Sequence, residues 1–210
     1  MSGVNHHIPD DLLDEWHAGT LPEPFAVVVA THLSICETCR ARMEAIDMLG
    51  GVVLDHERGA PMSGDAKSRM MAALDGPMPK PAPAPSGIFP SAVMEALGGG
   101  PPRWRMLGGG IRQQILMSDE AGSLRLLYIP PGRAVPEHGH QGLELTLVLQ
   151  GSFSDSGGSF HRGDVETAHA EIDHQPIAGE GDPCICLAAT DAPLRFNSML
   201  PRLLQPIFRI

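Results

Sequence analysis

GRAVPEHGHQGLELTLVLQG, residues 132–151, sets two histidines and a glutamate in front of an apolar run and brackets the whole with glycines. Side chains on an extended chain repeat their direction every two residues, so His138 and His140 face the same side. Glu144, at the start of the following run, can return to that side. Three metal-ligating groups then converge on the concave face of a sheet, which predicts a closed or sandwiched β architecture with a metal inside it.

The surrounding sequence supports that reading. Beyond Pro102 come short apolar runs separated by turn signals, among them SLRLLYIPPG (123–132), LELTLVLQGSF (143–153) and PCICLAATDAP (183–193). We therefore expect an all-β barrel or jelly roll over 102–210. Cys184 and Cys186, two apart on an expected strand, share a face, where they are either small core residues or oxidisable groups near the metal.

Upstream of the β-rich half, PMPKPAPAPSG (77–87) alternates Pro and Ala, which favours extended chain and builds no core. An interdomain linker is expected at about 77–101, with a helical domain over 1–85. In that domain DDLLDEWHA (10–18) begins acidic and runs into Gly19, the pattern of a short helix. Pro22 is placed to open a second helix. The stretch from Pro22 is helix-compatible to Gly50-Gly51, with a break expected near Cys36 and Cys39. DAKSRMMAALDGP (65–77) spaces Ala66, Met70, Ala73 and Leu74 for one helical face, predicting a detachable amphipathic helix. The fold class is thus multidomain α + β.

On a helix turning about 100° per residue, His32, Cys36 and Cys39 fall within about 60° of one another. Two thiolates and two imidazoles suit tetrahedral Zn²⁺, and the fourth group would come from His6 or His7 on a folded-back N-terminal strand. Cysteines in close pairs read as metal ligands before disulfides in a reducing compartment.

Charge narrows the function classes. The formal net charge is -10, and residues 1–80 carry twelve Asp and Glu against six Lys and Arg. DNA binding depends on basic residues neutralising phosphates, so direct nucleic-acid contact is not expected, whereas a basic protein partner is. MSGVNHHIPDDLL lacks a signal-peptide pattern, and the uncharged stretch Pro24 to Cys36 is shorter than the roughly 20 residues of a membrane helix. We expect a cytoplasmic protein with no membrane association.

HHIPDDLLDEWHAGTLPEPFAVVVATHLSICETCRARM (6–43) resembles the zinc-binding anti-sigma domain, of the ChrR type that carries a C-terminal cupin. The resemblance implies a zinc site of His7, His32, Cys36 and Cys39. Gly132, His138, His140, Glu144 and Gly151 resemble the first cupin motif at all five positions. Gly163 and His174 have the separation of the second motif, which implies His174 as the fourth cupin ligand, although His169 and Glu171 stand where that motif has Pro and Gly. A His3Glu set accepts Zn²⁺ or another divalent metal, and the resemblance favours zinc.

The same resemblance implies a function without catalysis. The helical domain would sequester an extracytoplasmic-function type sigma factor, through the helices at 22–34 and 66–75 on charge and apolar spacing. The cupin would release it on oxidative stress of the singlet-oxygen kind. The alternative is a metal-dependent cupin enzyme, a dioxygenase or isomerase, for which no acid or base beyond the ligands is evident. A direct transcription regulator lacks a basic recognition helix.

Overall fold

The computed structural model describes residues 3–78, 80–139, 141–169, 173–193 and the backbone of 195–196. Five helices occur among them: α1 Asp10–His17, α2 Glu23–Ile35, α3 Glu37–His56, α4 Ala66–Leu74 and α5 Ser91–Ala96. The strands are β1 Arg105–Gly108, β2 Ile111–Asp119, β3 Gly122–Ile129, β4 His138–Gly139, β5 Glu144–Gln150, β6 Ser152–Asp155, β7 Gly158–His161, β8 Val165–Ala168, β9 Asp173–His174, β10 Ile177–Ala178, β11 Cys184–Thr190 and β12 Arg195–Phe196.

The strands form a six-stranded sheet ordered β1-β2-β3-β11-β5-β8 and two three-stranded sheets, β10-β6-β7 and β12-β4-β9. Every pairing is antiparallel. Pairing of β11 with both β3 and β5 puts it at the centre of the large sheet, and all seven of its residues are buried. The two faces of that sheet serve different layers. Cys184, Cys186 and Val148 meet Phe153 and Phe160 of the small sheet, and this is the barrel interior. Ile185, Leu187 and Ala189, with Leu124 and Leu126 of β3 and Leu145, Leu147 and Leu149 of β5, point the other way.

That outer face is covered by the N-terminal helices. Phe25, Val28, Val29 and Leu33 of α2 belong to the same continuous core as the outward leucines, together with Leu12 and Leu13 of α1 and Met43 of α3. A helix apolar on all sides has to be enclosed, and α2 is enclosed by α1, α3, α5 and the sheet. At about 1.5–3 kcal/mol for each large aliphatic side chain fully buried, this shared layer is a principal source of the molecule's stability.

Several expectations need correction. The helix through the cysteines does not stop at Gly50-Gly51 but continues to His56. Each glycine costs a helix about 1 kcal/mol relative to alanine, a weak stop signal when neither adopts a left-handed backbone; neither has positive φ here. Within the stretch expected as linker, residues 77–87 are mostly exposed, whereas α5 beyond them buries Val93 and Met94. Finally, the apolar side chains of 22–34, expected to meet a partner, are already taken up by the sheet. The helix at 66–75 matches its expectation, forming α4 with no buried residue. Among the described residues no helix is long and apolar enough to cross a membrane.

Two candidate metal centres

The N-terminal centre is built around a break. Cys36 has an extended backbone between α2 and α3 and serves as the N-cap of α3, its Sγ accepting the Cys39 N–H at 3.4 Å. The turn brings Cys36 and Cys39 against His32, from the last turn of α2. His7 arrives on the chain before α1, its Nδ1 at 3.3 Å from Cys36 Sγ and 3.6 Å from Cys39 Sγ. His32 Nε2 lies 3.3 Å from Cys39 Sγ, and the four ligand atoms all fall within 4.8 Å of one another. The break expected near the two cysteines falls at Cys36, so His32, Cys36 and Cys39 converge across an interrupted helix and not along one continuous helical face.

Of the two neighbouring histidines, His7 joins this cluster and His6 does not. The His6 ring tilts against Phe160 of β7, with centroids 4.5 Å apart, and its Nδ1 is 3.6 Å from Asp164.

The protonation chemistry suits a cation. His32 Nδ1 must carry its proton, because it donates to the Gly163 carbonyl at 2.9 Å, which leaves the Nε2 lone pair facing the thiols. Burial is the main reason its pKa falls to about 4, so the ring is neutral near pH 7, the form that ligates. Burial, with the neighbouring Cys36, pushes the Cys39 thiol up to about 11. A divalent cation reverses that penalty by binding the thiolate. Two sulfurs and two imidazole nitrogens at this spacing fit tetrahedral Zn²⁺.

The second centre lies inside the barrel. β4 pairs with β9 so that His138 stands opposite His174, and their Nε2 atoms are 3.2 Å apart. His138 Nδ1 donates to the Pro136 carbonyl at 2.9 Å, turning Nε2 inward. His174 Nδ1 is held by Asp155 Oδ2 at 2.6 Å and Glu166 Oε1 at 3.1 Å. Glu144 is buried at the start of β5, accepts a hydrogen bond from Thr146 Oγ1 at 2.8 Å, and contributes a favourable charge at His174. His140 and Glu171 lie outside the described residues. His138 and His174 are therefore brought together, with Glu144 at the start of β5 in the six-stranded sheet.

Asp155 and Glu166 were not anticipated; single carboxylates on short strands carry no spacing signal. Burial pushes Glu166 up to about 7, and the Asp155 carboxylate adds to this. Burial also opposes the Asp155 charge, yet hydrogen bonds from Glu166, His174 and the Gly157 N–H hold that carboxyl below its usual value. Burial disfavours the His174 cation too, but the two carboxylates outweigh it and raise His174 to about 9. Paired carboxylates behind an imidazole fix its tautomer and strengthen it as a ligand.

Cys184 and Cys186 place their sulfurs 3.4 Å apart in the barrel interior. The Cys184 hydrogen bond and burial push the Cys186 thiol well above its ordinary range, with Glu166 and Glu144 adding to the effect. They pack in the apolar interior and also sit within electrostatic reach of the second centre.

Residues 101–192 match the family described as the ChrR cupin-like domain. The anti-sigma-E factor ChrR of Cereibacter sphaeroides is 51% identical over 211 aligned positions, covering 99% of either chain. The crystal structure of Rhodobacter sphaeroides SigE in complex with the anti-sigma ChrR superposes with a TM-score of 0.77 at 47% identity, covering 90% of this chain and 99% of the other.

Proposed function

Since this chain belongs to the ChrR family of anti-sigma factors, we propose that it sequesters an extracytoplasmic-function type sigma factor and releases it when its cupin half senses oxidative stress of the singlet-oxygen kind. Its role is regulatory, not catalytic.

The observation that carries the docking surface is the apolar face left open on α3 and α4. Met48, Leu49, Val52 and Val53 lie on one side of α3, and Met70, Met71 and Leu74 on one side of α4, all more than half exposed. Exposed apolar helix faces of this kind on an acidic protein mark a protein-binding site. The acidic residues of the helical half complement a basic, DNA-binding partner.

In this reading Zn²⁺ at His7, His32, Cys36 and Cys39 fixes the entry of α3 relative to α1 and α2, and so sets the direction of the apolar face. Zn²⁺ or another divalent metal is held in the cupin by His138, His140, Glu144 and His174. The helical domain spans 1–85 and the cupin 102–210, with the chain between them partly packed through α5.

The test is co-expression of the full chain with candidate sigma factors, followed by purification on a tagged sigma factor. Co-purification of wild type, and its loss in a Met70→Glu/Leu74→Glu chain that folds normally, supports the assignment. Equal recovery of both chains would move the docking surface elsewhere.

A further inference from the structure

Residues 4–7, ahead of the first helix, cross from one half of the molecule to the other. The Asn5 and His6 N–H groups donate to Asp164 Oδ1 at 2.7 and 2.9 Å. The Val165 N–H returns the contact to the His6 carbonyl at 3.1 Å. His161 N–H donates to the other oxygen, Oδ2, at 2.8 Å. Asp164 is 1% exposed, and these three backbone donors hold its carboxyl below the usual range although burial works against the charge.

The packing is equally close. Gly163 has a φ of +95°, and a Cβ there would come within 2.7 Å of Val4 Cγ2 and 3.1 Å of Ile35 Cγ2. Its carbonyl takes the hydrogen bond from His32 Nδ1. The turn His161–Val165 thus touches the N-terminal centre twice, through the ring of His32 and through the backbone that delivers His7. One residue further along, Glu166 holds His174 Nδ1 in the cupin centre.

We propose that this turn is part of the N-terminal metal centre, so that the cupin half, through Gly163 and Asp164, sets how firmly His7 and His32 hold their metal, and that β8 carries the state of the Asp155–Glu166–His174 cluster to it. The inference rests on the four-residue centre binding a metal. Physically, a ligand is retained when its backbone is fixed before binding, and here the fixing contacts come from the other half of the chain. Linkage makes the effect reciprocal: whatever loosens the turn loosens the metal, and loss of the metal loosens the strap.

The experiment loads the full chain with Co²⁺ and follows the thiolate-to-cobalt charge-transfer band while a competing chelator removes the metal. A chain with both Cys36→Ser and Cys39→Ser assigns the band. Persistence of the band in that double variant would mean that the centre itself is misassigned, a failure distinct from that of the link. With the band assigned, Asp164→Asn and Glu166→Gln should each release cobalt faster, by roughly tenfold for Asp164→Asn, within the range of measured couplings, while exposed Glu120→Gln releases at the wild-type rate. Val4→Ala, which removes the side chain packed against Gly163, provides a second variant should Asp164→Asn fail to fold. A wild-type rate in folded, cobalt-loaded Asp164→Asn or Val4→Ala overturns the proposal, and a wild-type rate in Glu166→Gln overturns its cupin half.

Discussion

His6 and His7 are chemically identical neighbours that do different work, and the difference comes from the backbone that carries them. His7 turns toward Cys36 and Cys39, while His6 turns toward Phe160 and Asp164. Replacing His7 with alanine should therefore remove the zinc of the helical half, whereas His6→Ala should retain it at full stoichiometry; elemental analysis of the two purified chains separates them. Cys39→Ser should also lose that zinc. Because structural zinc can contribute about 10–16 kcal/mol of apparent binding free energy, helix content should fall with it, measurable by circular dichroism. At this scale the sequence was legible where chemistry recurs at fixed spacing, as in His32, Cys36 and Cys39. It was not legible for Asp155, Glu166 and Asp164. Their roles depend on which strands become neighbours, and a lone carboxylate looks the same on a solvated loop as behind an imidazole.

At the level of elements, α2 and the pair α3 and α4 divide the labour that apolar residues can perform. Leu187 of β11 is fully buried in the layer shared with α2. Truncation to alanine should cost about 2–5 kcal/mol in denaturant unfolding, with little direct effect on a partner-binding surface. Leu74 of α4, 73% exposed, should behave oppositely. Leu74→Ala should change stability by less than about 0.5 kcal/mol and weaken sigma binding, readable by titration. The continuous apolar character of FAVVVATHL (25–33) predicts a buried helix without saying what buries it, so the expected partner surface there turned out to be the molecule's own sheet. The Pro- and Gly-rich surroundings of α5 hid a six-residue helix that is fixed by tertiary burial of Val93 and Met94, not by its own propensity. The β half was more readable: the apolar runs within LELTLVLQGSF and PCICLAATDAP became β5 and β11, the strands buried along nearly their whole length.

Taken as a whole, the molecule joins its two chemistries through one core. α2, backed by α1 and α3, packs on β3, β5 and β11, and the strap at residues 4–7 adds the polar contacts to the turn before β8. Helical and β signals should consequently be lost in a single thermal transition, and chelating the metal should lower the midpoint of both together. Two separate transitions would show that the shared layer is weaker than its burial implies. The two-part organisation could be read from the Pro-Ala tract and the change in periodicity, but the docking of one part on the other could not, since no local pattern records which apolar face meets which.

The most direct measurement is the binding of the zinc-loaded full chain to its sigma factor, with stoichiometry and affinity determined by calorimetry on purified proteins. The expected result is a one-to-one complex that is abolished by Cys36→Ala and weakened by Met70→Glu/Leu74→Glu. A folded, zinc-loaded chain that binds none of the sigma factors of its own cell, or a Cys36→Ala chain that binds as wild type, would contradict it.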